Sequence, residues 1–145
     1  MEIVDHYLAR IERLDAEVGA YTTVTAEQAR EQARRAEAAI MSRDPADPSG
    51  PIPPLYGVPI PIKDLNLVKD VPTLFGSATY EGFVAPVDDS VVERLREAGT
   101  IMLGKTNAPE FGLPCYTETY VTPPARTPWD LARSAGGSSG GAAAA

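Results

Sequence analysis

Cysteine and histidine are nearly missing from this chain, which holds one of each, Cys115 and His6, in 145 residues. A single cysteine closes no internal disulfide and builds no cysteine-based metal cluster, and it fits a reducing, cytoplasmic setting. A single histidine excludes a multi-histidine metal site, so a nucleophile here needs another base unless it uses His6. Basic residues are also in short supply: 13 Lys and Arg against 20 Asp and Glu leave a net charge of −7 and a pI near 4.7. Such a chain repels phosphate backbones, and no nucleic-acid partner is expected. No apolar run approaches the ~20 residues that span a bilayer. Met1 to Asp15 is charged and amphipathic, without the apolar core of a signal peptide, so no membrane partner is expected either. What remains is a globular composition, 43% hydrophobic and 23% charged, of a length that allows one domain.

Proline, by contrast, is abundant, with 14 residues or roughly twice the usual share. None of the prolines falls inside a candidate helix. Residues 2–17 place Ile3, Val4, Tyr7, Leu8, Ile11 and Leu14 at helical spacing. Residues 26–42 predict a second helix, with Thr25 and Gln28 as a capping box and Ala29, Ala33, Ala36 and Ile40 facing inward. Five prolines and two glycines over 44–57 leave no regular element there, only a surface connection. Val58 to Leu65 alternates with period two. Val58, Ile60, Ile62 and Asp64 share one face, so Asp64 is not the natural partner of Lys63 on the other. Pro59 and Pro61 lack N–H groups on one edge, which excludes full pairing along that side. Residues 90–98 predict a third helix, capped by Ser90 and Glu93, lined by Val91, Leu95 and Ala98, and ended by Gly99. Thr100 to Leu103 reads as a short apolar strand, and Gly104 to Gly141 as loop-rich. Helices alternating with strands point to part of an α/β domain.

Three stretches could carry chemistry. Gly99 to Thr106 matches the phosphate-loop pattern G-x-x-x-x-G-K-[ST], but a helix precedes its first glycine and Pro109 disfavours a helix after its lysine. A helix cap, a buried strand and a turn account for the same residues. Gly136 to Gly141 reads either as a flexible linker or as a tight loop that brings backbone close to a substrate. Lys63, at the end of an apolar strand, is either a solvated edge residue or a half-buried amine whose lowered pKa makes it a base. The four alanines after Gly141 are too few to form a helix alone, and read as a flexible tail or as an element cut short.

These stretches join in one resemblance. Gly57-Val-Pro-Ile-Pro-Ile-Lys63-Asp64 is similar to the lysine motif of the amidase signature family. Ala85-Pro-Val-Asp-Asp-Ser90, Gly104-Lys-Thr-Asn107-Ala-Pro-Glu110-Phe111, Thr127-Pro-Trp129-Asp130-Leu and Arg133-Ser-Ala-Gly-Gly-Ser138-Ser139-Gly-Gly-Ala resemble the same family in the same order. The resemblance runs from the first helix to the last residue. It implies an α/β/α fold with a mixed central sheet, of which this chain is the N-terminal part, a single incomplete domain cut before the later strands.

The family's Ser-Ser-Lys triad assigns Lys63 as the catalytic lysine and Ser138 as the bridging serine, which follows a cis peptide bond. Ser139 matches no triad member. The nucleophilic serine and its oxyanion hole belong to a Gly-Gly-Ser motif beyond Ala145, so the chain alone is expected to be inactive. The implied reaction is hydrolysis of a small-molecule amide: Lys63 takes a proton from Ser138, Ser138 takes one from the nucleophile, and an acyl-enzyme forms and is released by water. No cofactor and no metal are expected. Gly112 and Ser139 are candidates for substrate contact, with the rest of the binding set unassigned. Two family readings follow, a stand-alone amidase and a glutamyl-tRNA(Gln) amidotransferase A-type subunit. The segment Pro114 to Pro124 departs from the latter and favours the former. A nucleotide-binding module built on Gly99 to Thr106 and an inactive scaffold are the alternatives of other classes.

Overall fold

A computed structural model describes residues 1–42 and 52–145. The chain builds α1 (Glu2–Val18), β1 (Tyr21–Val24), α2 (Ala26–Met41), β2 (Pro59–Lys63), α3 (Ser90–Glu97), β3 (Ile101–Thr106), the hairpin β4 (Arg126–Thr127) and β5 (Asp130–Ser134), and the short α4 (Gly140–Ala144). The main sheet has the order β1-β3-β2. β3 runs antiparallel to β1 and parallel to β2, so the sheet is mixed, as expected.

β3 is the core of the fold because every one of its residues is buried. Its alternation feeds two apolar layers. Ile101 and Leu103 pack with Val4, Leu8 and Ile11 of α1 and Ala29, Ala33 and Ala36 of α2. Met102 packs on the other face with Ile62, Val68, Val71 and Val92 of α3. The alanines let α2 lie close to the sheet, and helices cover both faces of it.

β2 fits its prolines to an edge. Val58 O accepts from Ile101 N at 2.9 Å and Asp64 N donates to Thr106 O at 2.9 Å, so even-numbered residues bond β3. Pro59 and Pro61 therefore turn their missing N–H groups outward, where no strand pairs among the described residues.

Several local expectations are corrected. β1 was not visible as an element in the sequence. The capping box at Thr25 does not form, because its hydroxyl donates instead to Met102 O at 3.2 Å, tying the start of α2 to β3. The cap of α3 is Asp89 rather than Ser90, and Asp89 Oδ2 accepts from Leu67 N at 2.8 Å. Val92 is the buried valine of α3, while Val91, like Ile40, Ile3 and Tyr7, faces outward. The proline-rich connection over 44–57 falls outside the described residues as far as 51; beyond it, Gly57 N donates to Gly99 O at 2.8 Å.

The phosphate-loop reading of Gly99 to Thr106 does not hold. Gly99 closes α3 with φ 82°, and the residues after it are β3, a buried strand rather than an open loop. Lys105 is 0% exposed and its ammonium is already bonded within the protein. A phosphate would find neither space nor a free cation there.

Candidate active site

The register of β2 against β3 decides where the lysines go. Between Ile60 and Ile62 β2 advances two residues, while between their partners Met102 and Lys105 β3 advances three. The extra residue is a β-bulge, and it reverses the alternation. Lys105 consequently shares the face of Ile62 and Asp64. Its Nζ donates to Asp64 Oδ1 at 2.7 Å and to Thr73 Oγ1 at 2.9 Å, all three residues fully buried. Asp64 Oδ2 accepts from Leu74 N at 3.0 Å. Burial pushes the Asp64 carboxyl up and the Lys105 ammonium down, and the attraction between them opposes both shifts.

Asp64 and Lys63 are adjacent on a strand and so point apart. With Asp64 committed inward, Lys63 projects from the opposite face at the carboxyl end of β2. That is where ligands gather in sheets with parallel strands. There Lys63 Nζ lies 2.8 Å from Ser138 Oγ, across 75 residues of chain. The distance lies within the reach needed for proton transfer. A charged amine donates to the hydroxyl across it, and a neutral amine accepts. Burial lowers the Lys63 pKa from its ordinary value of 10.5. Among the described residues no carboxylate forms an ion pair with Lys63 to oppose that shift.

Ser138 is delivered by a loop, not a flexible linker. The Gly137–Ser138 peptide is cis. Gly137 lies against the backbone of residues 115–116, where a Cβ would stand 2.8 Å from Tyr116 N. Gly141 N donates to Asn107 O at 3.0 Å, just past the end of β3, and a Cβ on Gly141 would strike the same backbone. Only glycine fits either approach. Asn107 is itself buried: its Nδ2 donates to Gly19 O at 3.1 Å and Pro123 O at 2.8 Å, and its Oδ1 accepts from Thr122 Oγ1 at 3.0 Å. The end of β3, the start of β1 and the start of α4 are thereby held at one point.

The other candidates separate. Gly112, with φ 71°, lies beside the pair: a Cβ there would be 3.8 Å from Ser138 Oγ. Ser139 starts α4, is exposed, and makes no side-chain cap bond. His6 is on α1, stacked edge-on to Tyr7. Cys115 is an exposed, free thiol. No group of three or more His, Cys, Asp or Glu side chains is arranged to hold a metal ion among the described residues. No helix there is long and apolar enough to cross a membrane.

Three residues that shape the site were missed in the sequence: Lys105, Asn107 and Thr117. A buried Asp64 on an apolar strand face demands a cation, and Lys105 follows the apolar run Ile101 to Leu103, which is the signal that would have found it. Nothing local marks Asn107 or Thr117.

The family model for amidases matches residues 2–145. The A-type subunit of glutamyl-tRNA(Gln) amidotransferase from Thioalkalivibrio sulfidiphilus is 45% identical over all 145 residues, and the chain spans 28% of that relative's length. Among solved structures, a chain of a vestigial protein complex tied to the origins of an s-triazine catabolic enzyme superposes with a TM-score of 0.89 at 35% identity, over 99% of this chain and 30% of that one. A bacterial aryl acylamidase of the amidase signature enzymes gives 0.83 at 31% identity, over 99% and 29%. A match along essentially the whole chain, in sequence and in fold alike, places it in the amidase signature family.

Proposed function

We propose that the chain is the N-terminal part, a single incomplete domain, of an amide hydrolase. In this reading Lys63 is the base and Ser138 the proton relay to a nucleophilic serine beyond residue 145. The observation that carries it is the 2.8 Å contact between Lys63 Nζ and Ser138 Oγ, made at a strand end by a loop seated on glycine. Neutral Lys63 draws the proton of Ser138 as Ser138 draws that of the nucleophile, which attacks the amide carbonyl. The same path in reverse protonates the leaving amine, and water then frees the acid. The substrate is a small-molecule amide, and Gly112 and Ser139 border the space beside Ser138.

The test is a pair of alanine variants in the complete enzyme, assayed by release of aromatic amine from a simple aryl amide. Ser138→Ala removes the relay and lowers kcat by roughly 100- to 10,000-fold, the span of a proton-transfer group. Ser139→Ala, which removes no member of the relay, is far milder than Ser138→Ala. The reverse ranking refutes the assignment. The 145-residue chain alone releases no amine, since it holds neither nucleophile nor oxyanion hole in this reading. Release that disappears on Ser138→Ala in that chain would contradict this.

A second reading, a glutamine-dependent amidotransferase component, is favoured by the 45% identity to the A-type subunit of glutamyl-tRNA(Gln) amidotransferase. It keeps the same three groups and replaces the substrate by glutamine. Ammonia release from L-glutamine that depends on added partner subunits selects it; partner-independent turnover of aryl amides selects the stand-alone enzyme.

A further inference from the structure

Thr117 lies in an irregular stretch between Leu113 and Ala125, yet it is 0% exposed. Its hydroxyl donates to Gly136 O at 2.9 Å and accepts from Gly140 N at 3.1 Å. Those two glycines bracket Ser138 symmetrically. One buried oxygen therefore pins both feet of the loop whose middle residue meets Lys63. The Thr117 backbone is anchored in turn: Thr117 O accepts from Ala125 N at 2.9 Å, and Ala125 O from Ala135 N at 2.8 Å. Gly140 is packed so closely on the Thr117 side chain that a Cβ there would overlap it. The pin sits on a braced segment and does not follow the loop if the loop shifts.

We infer that Thr117 is a positioning residue for Ser138, holding the serine hydroxyl at hydrogen-bond distance from Lys63 by clamping Gly136 and Gly140. The inference rests on the assignment of Lys63 and Ser138 to the relay. Both halves of the clamp need an oxygen that donates and accepts at once, which a hydroxyl supplies and a methyl does not. Valine has the shape of threonine and neither capacity. It leaves a part-buried carbonyl and a buried N–H unpaired, and the loop relieves them by moving toward water. Ser138 moves with it. A displacement of about 1 Å in a reacting group costs on the order of 100-fold in rate.

The experiment compares Thr117→Val, Thr117→Ser and Ser138→Ala in the complete enzyme. It uses whichever of an aryl amide and L-glutamine the parent hydrolyses faster. Rates are taken per active site, counted with an organophosphorus reagent that labels the nucleophilic serine. Thr117→Val lowers kcat by about 100-fold with KM within about threefold, and Thr117→Ser recovers to within about threefold of the parent. A loop that shifts leaves Lys63, already partly exposed, with more water, so the acid limb of the kcat/KM profile moves to higher pH in the valine variant and returns in the serine variant. A residue that merely supports the fold leaves that limb in place. Wild-type kcat in Thr117→Val, or a serine variant as impaired as the valine one, overturns the inference. Where Thr117→Val does not fold, Thr117→Ala is read in the same way, and failure of both to fold overturns it. Full activity in Ser138→Ala instead removes the relay reading beneath it.

Discussion

Replacing Lys63 by alanine in the complete enzyme lowers kcat/KM by about 1,000-fold or more, within the range a positioned base contributes. Among the described residues no other amine or imidazole is placed to take over: Lys105 is tied to Asp64 on the opposite face of the sheet, and His6 lies on α1. Lys63→Arg fails nearly as badly although it keeps the charge, since a guanidinium does not deprotonate in proteins and cannot act as a base. The charge-preserving variant thus separates a base from a purely electrostatic role, which arginine would fill. The pH dependence carries the same sign. In the proposed relay the active form is the neutral amine, so kcat/KM falls as the solution is acidified through the Lys63 pKa. Burial holds that pKa below 10.5, and the limb lies below that value. A profile flat across the alkaline range, or an arginine variant at parental activity, contradicts the assignment.

The largest effect on stability belongs to a pair that takes no part in the chemistry. Lys105→Met leaves Asp64 buried without its cation, and removing one partner of such a pair costs about 3–5 kcal/mol. Chemical denaturation of the complete protein reads this as a lower midpoint. The double variant Asp64→Leu/Lys105→Met recovers most of the loss, because apolar side chains of similar volume replace both charges at little cost. Thr73→Val removes one neutral hydroxyl from the cluster and costs about 1 kcal/mol. A double variant as unstable as the single one would show that the ion pair contributes more than its own desolvation demands.

What could be read in the sequence follows from physical range. α1 and α2 repeat their apolar spacing over several turns, and β2 announces its edge through Pro59 and Pro61, so these were legible. β1 was not, because four residues between two helices are too short to display a period. The hairpin β4–β5 was hidden for a different reason: its residues are largely exposed, so no buried face shapes its composition. Thr25 and Ser90 look like caps, but the Thr25 hydroxyl goes to a tertiary partner, Met102 O, and α3 starts one residue earlier than Ser90 would cap it, behind Asp89. Lys105 was the hardest to place, since the bulge in β3 reverses the alternation that would have assigned its side. The pairing of Lys63 with Ser138 came from motif resemblance; no periodicity links residues 75 apart. Thr117 acts through a loop distant in sequence and leaves no local trace.

The strand order has a consequence for synthesis. β1 is complete by residue 24, yet its only strand partner in the described sheet is β3, which begins at residue 101. β2, too, pairs only with β3 among the described residues. On a growing chain, three helices and two strands emerge from the ribosome with apolar faces that nothing yet covers. They must wait for the central strand before either layer of the core can close. Contacts of such sequence separation slow folding and expose the nascent chain to aggregation. Because Lys63 meets Ser138 only after that strand is seated, the pair proposed as a relay is assembled late, on a scaffold already committed.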